Sequence, residues 1–159
     1  MDREPALADF EAARQEWEVA FGRVPDAALT YLKPGDDYSL GGLQVHVNWV
    51  LAHYLRVLRG SVVLEDPPLS DSARLGLTPK QRRAELADME RLHRGVTAEV
   101  AALDASAWTR KTAVVYGPGE EPYPTSPEDV LGWLTEHYRE HVQQSADLIE
   151  DWKAAGRSG

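Results

Sequence analysis

The stretch Trp133-Leu-Thr-Glu-His137-Tyr-Arg-Glu-His141-Val-Gln-Gln reads as part of one long amphipathic helix. Residues that recur every three or four positions share one face of a helix, and here that face combines apolar side chains with two histidines. Its members are Val130, Leu134, His137, His141, Ser145, Leu148 and Trp152. Such a face is buried against other helices, so the stretch predicts a helical core with both imidazoles directed inward.

His137 and His141 are four residues apart, which places their Cβ atoms about 6 Å from each other on one helix. Two imidazoles at that spacing can share one metal ion, with Zn–N bonds of about 2.0–2.1 Å. A third ligand would have to come from elsewhere in the chain. The alternative is that both are ordinary core histidines that hydrogen-bond to the backbone.

Two helices are predicted in the first sixty residues. The first runs from about Ala6 to Ala20, and the second from about Leu40 to Arg59 with Ser39 as its N-cap. Gly41 and Gly42 in the first turn of the second helix are poor helix formers. They indicate either a frayed end or the close approach of another backbone or a ligand.

The two remaining helices have clear starts. A Thr-Pro-Lys-Gln capping box at residues 78–81 opens a helix that reaches about Leu103. Ser-Pro at residues 126–127 opens the last helix, which reaches about Trp152 or Lys153. Between them, residues 108–116 are rich in β-branched side chains and are expected to be briefly extended. The pattern predicts an all-α fold, a four-helix bundle with long loops between helices two and three and between helices three and four.

The length of 159 residues predicts one domain, which we place at residues 1–155 with a disordered tail over 156–159. Hydrophobic residues make up 43% of the chain and charged residues 27%, a balance typical of globular proteins. The net charge of −9 argues against a nucleic-acid partner, because phosphate binding depends on clustered Lys and Arg.

The chain contains no cysteine, which excludes disulfides, thiolate nucleophiles and cysteine-ligated zinc. This composition fits a reducing compartment. The N-terminal residues carry no apolar signal core, and no run approaches the ~20 apolar residues that a membrane helix needs. We therefore expect a cytoplasmic protein with no membrane partner.

His46 is the candidate third ligand, since it lies on the predicted inward face of the second helix. If the second and last helices are neighbours, three imidazoles can form one set that leaves a coordination position open, as in catalytic metal sites. His53 lies about 10.5 Å further along the helix, too far to share the ion, and is expected to line a pocket or the core. His93 is expected to be a satisfied core histidine.

The sequence resembles the DinB/YfiT-like family of metalloenzymes. The resemblance rests on Tyr38-Ser39 seven residues before His46, on His46-Val-Asn-Trp, and on Leu131-Gly-Trp-Leu-Thr-Glu-His137-Tyr-Arg-Glu-His141. It extends over almost the whole chain in helix order, although Tyr38 stands where Trp is common and Gly42 where a capping Glu often appears. The resemblance implies a DinB-like bundle in which His46, His137 and His141 bind a divalent metal ion, zinc or nickel.

Characterised relatives include metal-dependent thiol S-transferases and a mycothiol-dependent isomerase, and relatives are often dimers. The resemblance therefore implies a homodimer that transfers a low-molecular-weight thiol to a small-molecule substrate. A metal held by three histidines can hold a thiol as thiolate or lower the pKa of bound water toward ~7. The catalytic group would be that metal-bound water or thiolate, and His53, Tyr138 and Trp49 are the candidates for lining the pocket.

Two alternatives share the same ligands. One is a hydrolase that uses metal-bound hydroxide, and the other is a non-catalytic, metal-stabilised stress or binding protein. A zincin-type protease is excluded, because that motif needs Glu directly after its first histidine and position 138 is Tyr.

Overall fold

The computed structural model describes residues 1–158. Within them the elements follow in the order α1 (Arg3–Gly22), a 3₁₀ turn (Asp26–Ala28), α2 (Gly42–Leu58), α3 (Ser72–Leu75), α4 (Pro79–Ala101), α5 (Ala105–Trp108), β1 (Thr112–Val114), β2 (Tyr123–Thr125) and α6 (Pro127–Ser158). The long helices α1, α2, α4 and α6 form a bundle in which α1 packs on α6 and α2 packs on both α4 and α6. The predicted all-α architecture is confirmed. No helix among the described residues is long and apolar enough to cross a membrane.

The bundle core is built from apolar faces of the four long helices, and the face predicted for the last helix is one of them. Large side chains from all four long helices are almost fully buried in it, and burying each contributes about 1.5–3 kcal/mol relative to leaving it exposed. They include Phe10, Trp17, Phe21, Leu43, Leu51, Met89, Leu131 and Leu134. The core therefore fixes which face of α2 and which face of α6 are turned toward each other.

Side-chain caps begin α4 and α6 where the sequence predicted them. Thr78 Oγ1 accepts a hydrogen bond from the Gln81 backbone N–H at 3.1 Å, and Gln81 Oε1 accepts one from the Thr78 N–H at 2.8 Å. Ser126 and Asp129 form the same reciprocal pair at the start of α6, with distances of 2.9 and 3.0 Å. These caps satisfy N–H groups that have no partner within the helix.

The start of α2 is packed tightly against α3. Ser39 Oγ accepts from the Gly42 N–H at 3.0 Å, but α2 begins at Gly42 and its N-cap residue is Gly41, not the predicted Ser39. A Cβ on Gly42 would lie 1.7 Å from the carbonyl oxygen of Ala73. Of the two interpretations of the glycine pair, the close approach of another backbone is the one that the structure supports.

Two segments differ from the sequence prediction. The expected extended stretch is one arm of a hairpin, in which β1 pairs antiparallel with β2 and Thr112 faces Thr125. Helix α6 continues to Ser158 rather than ending near Lys153, so residues 156–158 of the predicted tail are helical and Gly159 lies outside the described residues. Alanines 154 and 155 are strong helix formers, which explains the extension of the helix.

Candidate metal centre

Helices α2 and α6 bring His46, His137 and His141 together. The Nε2 atom of His137 lies 3.1 Å from Nε2 of His46 and 3.0 Å from Nε2 of His141. One ring nitrogen from each of the three histidines lies within 4.8 Å of the other two. The fold thus unites the three residues that the sequence singled out, although His46 is separated from the pair by about ninety positions in the chain.

Gln144 sets the orientation of the His141 ring. Its Oε1 atom lies 2.6 Å from Nδ1 of His141. Because an amide oxygen can only accept, Nδ1 carries the proton and Nε2 keeps its lone pair. The nitrogen that faces His137 is therefore the one that can act as a ligand. A ring N–H held by a polar partner in this way is the usual arrangement of a metal-ligating histidine.

All three histidines are held in the neutral form. Burial lowers the pKa of His46 to about 4 and, together with the neighbouring histidines, lowers the pKa of His137 to about 3. Burial also lowers the pKa of His141, against the opposing effect of Gln144. Neutral imidazole is the form that binds metals, so all three rings can offer a lone pair at neutral pH.

The spacing of the three Nε2 atoms fits a divalent metal ion. Two imidazole nitrogens bound to one tetrahedral zinc ion at about 2.0–2.1 Å are separated by about 3.3 Å, close to the contacts in this cluster. Nδ1 of His46 is buried and has no hydrogen-bond partner among the described residues. Nε2 of His137 faces two other Nε2 atoms and carries at most one proton, so hydrogen bonding among neutral rings can satisfy only one of these two contacts, whereas one cation can accept a lone pair from all three rings.

Aromatic side chains hold the outer faces of the cluster. The Tyr38 ring stacks on His46 with centroids 4.4 Å apart and an angle of 20° between the ring planes. Trp17 presents its edge to His141 at 6.1 Å. Trp17 is itself fixed by a 2.8 Å hydrogen bond from its Nε1 to Oε1 of Gln44. The aromatic residue before Ser39, noted as part of the sequence motif, thus positions a candidate ligand.

His53 lies outside the three-histidine cluster. Its Nδ1 atom is 2.5 Å from Oδ2 of Asp66, and its ring stacks on Trp49 with centroids 5.2 Å apart. Trp49 in turn donates from Nε1 to the carbonyl oxygen of Pro67 at 2.9 Å. The long connection between α2 and α4 therefore anchors both residues. A carboxylate partner for His53 was not predicted, since nothing local in the sequence relates positions 53 and 66.

Tyr138 was a candidate for lining the pocket, and the structure places it in the bundle core instead. Its side chain is buried, its hydroxyl lies 2.9 Å from Nδ1 of His93, and its ring packs against Phe10. One residue along a helix is a rotation of about 100°, so Tyr138 points away from the face that carries His137. His93 also contacts Glu11 through Nε2 at 2.8 Å, which makes it a satisfied core histidine.

A recess lined by aromatic side chains lies one helical turn from His137. It has a volume of about 520 Å³ and is lined by Tyr54, Tyr116, Glu120, Glu121, Tyr123 and Trp133. We call it the aromatic recess. The hairpin and the loop between its strands contribute four of the six residues. Nothing local in the sequence predicts that these residues meet α2 and α6, because the loop is long and its path depends on the folded bundle.

The comparisons with known proteins agree with this architecture. A family model of the DinB superfamily matches residues 9–145. A crystal structure of a histidine-to-alanine variant of the mycothiol-dependent maleylpyruvate isomerase is similar in fold, with a TM-score of 0.53 and 13% sequence identity. That similarity covers 89% of this chain and 60% of the isomerase chain, so this protein spans less than two thirds of it. No curated protein gives a significant sequence match. The chain belongs to the DinB superfamily.

Proposed function

We propose that this protein binds one divalent metal ion through His46, His137 and His141 and transfers a small thiol to an electrophilic small molecule. The observation that carries the metal assignment is the convergence of three neutral Nε2 atoms, two of them at 3.0–3.1 Å from the third. Imidazole ligands suit zinc, nickel, copper and iron, and the family resemblance makes zinc and nickel the metals to test first.

In this proposal the side chains of the protein hold the metal ion in position, and none of them acts as the nucleophile. His46 is held by the stacked Tyr38 ring, and His141 is held by Gln144. His46 and His137 are only partly buried, which would leave one side of the centre accessible to a substrate. The metal, when bound, would supply a positive charge that favours the thiolate form of a thiol at neutral pH.

The thiol would be a second substrate, since the chain has no cysteine of its own. The choice of a thiol is supported by the isomerase of similar fold, which by its name depends on mycothiol. At 13% identity this similarity concerns the fold, so thiol use by the present protein is the part of the proposal that needs a direct assay.

The test begins with the metal content of the purified protein, which we expect to be one zinc or nickel ion per chain. His137→Ala should lose the metal, whereas His53→Gln should keep it because His53 contacts Asp66 and not the cluster. The metal-loaded protein is then assayed with several low-molecular-weight thiols and small electrophiles.

Thiol-dependent turnover that disappears in His137→Ala would support the proposal. Turnover that needs no thiol would replace it with metal-dependent hydrolysis. A protein that binds the metal and is stabilised by it, but turns over nothing in either assay, would be a non-catalytic binding protein.

A further inference from the structure

The four rings of the aromatic recess form a continuous concave wall. Tyr116 and Tyr54 have centroids 6.1 Å apart with planes at 59°, Tyr54 and Trp133 are at 5.7 Å and 50°, and Trp133 and Tyr123 are at 6.1 Å and 53°. Each ring is tilted by more than 45° against the next, so the rings do not stack on one another, and the recess that they line is open to solvent. Several ring faces can thus contact one ligand group.

The side chains that line the aromatic recess create a negative electrostatic potential. Aromatic faces are negative because of the ring quadrupole, and Trp is the strongest of them toward a cation. Glu120 and Glu121 add two carboxylates at the rim, and within residues 1–158 neither forms an ion pair. None of the lining residues is basic. The nearby cations Arg56 and Lys111 are already paired, with Asp66 and Asp129.

Two of the four rings, Tyr54 and Tyr116, are held in place by packing and a hydrogen bond. The Tyr116 hydroxyl lies 2.7 Å from Oγ1 of Thr125, which is buried in the hairpin. His53 packs behind Tyr54 and Tyr116, with centroids at 4.8 and 5.7 Å. A preformed site spends less free energy on ordering its side chains, which favours binding. The volume of about 520 Å³ is also in the range of pockets that hold small molecules.

We infer that the aromatic recess binds the alkylammonium group of a small molecule. Several aromatic faces directed at one cation form the aromatic cages by which proteins recognise quaternary and methylated ammonium groups, and nearby carboxylates add to the attraction. The negative potential of the recess repels a carboxylate or a phosphate. A neutral group of the same shape as the ammonium would make the apolar contacts but would lack the electrostatic attraction.

The recess also has a defined position relative to the metal centre. Trp133 precedes His137 by four residues on α6, a rise of about 6 Å along the helix axis. An ammonium group held in the recess would therefore lie about one helical turn along α6 from His137, a distance that the rest of a small molecule can span. That the ligand is the substrate of this centre rests on the proposed function, whereas its binding in the recess does not.

The test is a calorimetric titration of the protein with choline and with 3,3-dimethylbutan-1-ol, which has the same shape without the charge. Choline should bind at least about ten-fold more tightly than the neutral alcohol. Equal binding of the two, or no binding of choline, would overturn the inference. Binding of phosphatidylcholine vesicles but not of free choline would assign the recess to a membrane surface and would also overturn it.

Two variants locate the site. Trp133→Leu removes the strongest ring and should weaken choline binding about ten-fold. Glu120→Gln combined with Glu121→Gln changes only exposed side chains and should weaken it about three-fold, more at low salt than at high salt. The matched control is Glu4→Gln combined with Glu65→Gln, which removes the same charge from exposed positions elsewhere and should leave choline binding unchanged. Unchanged binding in both test variants would overturn the assignment.

His137→Ala separates this inference from the proposed function. Choline binding retained in that variant supports a recess that acts independently of the metal. Choline binding lost in that variant would place the cation at the histidine cluster and overturn the inference. Failure of the thiol assay would leave the choline titrations unaffected.

Discussion

Nδ1 of His141 donates a hydrogen bond to Oε1 of Gln144 over 2.6 Å, within a single turn of α6. This contact keeps the lone pair of Nε2 directed at the other two histidines. We expect Gln144→Ala to weaken zinc binding by about 10- to 100-fold, measured by competition with a chromophoric chelator. The control is Gln143→Ala, whose side chain bonds only to Asp147 on the exposed side of the helix. Equal zinc affinities in the two variants would show that Gln144 has no orienting role.

Metal removal should lower the melting temperature. A ligand at one hundred times its Kd stabilises the folded state by about 2.7 kcal/mol, which corresponds to roughly 5–10 °C in a chain of this size. We therefore expect chelated protein to melt roughly that much lower than zinc-loaded protein in calorimetry. His137→Ala should melt at the same temperature with and without zinc. A full zinc-induced rise in that variant would argue against the three-histidine assignment.

Tyr138→Phe should destabilise the fold without affecting metal binding. The substitution removes the partner of Nδ1 of His93 in the core, and a buried polar group left unpaired costs about 1–3 kcal/mol. Urea unfolding measures this loss. Tyr123→Phe, at a position that is 55% exposed, is the control and should change stability by less than about 0.5 kcal/mol. A loss of zinc affinity in Tyr138→Phe would show that this ring does reach the metal centre.

Stability should fall as the pH is lowered below neutrality. Burial lowers the pKa of His93 to about 4, against about 6.5 in the unfolded chain. Between these values the unfolded chain binds a proton that the folded chain does not, so the free energy of unfolding rises with pH from about 4 to 6.5. His46 and His137 act in the same direction in metal-free protein.

We expect metal-free protein to lose roughly 2 kcal/mol or more between pH 7 and pH 5, as measured by urea unfolding. Below about pH 4.5 the loss continues through Glu11, because the hydrogen bond from Arg14 lowers the pKa of that carboxyl to about 2. His93→Phe should show a smaller loss between pH 7 and pH 5. If this variant lost as much stability between pH 7 and pH 5 as the unsubstituted protein does, His93 would not contribute to the loss.

Replacing either of two glycines by alanine should change the stability of the protein, in opposite directions at the two positions. Gly42→Ala would force a Cβ against the backbone of α3 and should destabilise the protein by at least about 2–3 kcal/mol. Gly132 lies in the interior of α6 with nothing within 4 Å of its Cβ position, so Gly132→Ala should stabilise by about 0.5–1 kcal/mol. Differential scanning calorimetry compares the two. A neutral Gly42→Ala would mean that α3 can move away from α2.

The helices could be predicted because their signals are local. The cap at Thr78 and Gln81 and the apolar stripe of α6 lie within a few residues of the structures they specify. The pairing of β1 with β2 depends instead on how the chain returns after an eight-residue loop, and the backbone of α3 packs against Gly42, which is far away in the sequence. Short elements of this kind are determined by tertiary packing, which a local pattern does not contain.

The candidate site likewise combines features that local sequence signals predict with features that depend on tertiary packing. The pair His137 and His141 could be read from one helix, and His46 could be added by assuming that α2 and α6 are neighbours. The surroundings of Tyr138 could not be read from the sequence, since its neighbours in the chain are ligand candidates but its neighbours in space are Phe10 and His93. The contact between His53 and Asp66 and the assembly of the aromatic recess likewise depend on where loops cross the bundle.

The hairpin and the histidine cluster belong to parts of the chain that can change separately. All three histidines are on bundle helices, whereas Tyr116, Tyr123 and the two glutamates of the recess come from the segment between α5 and α6. A new segment of similar length inserted between Lys111 and Ser126 would alter what the recess accepts while the helices keep the imidazoles in register. This protein therefore offers a scaffold in which ligand choice can be redesigned, or can diverge in evolution, by exchanging one surface loop.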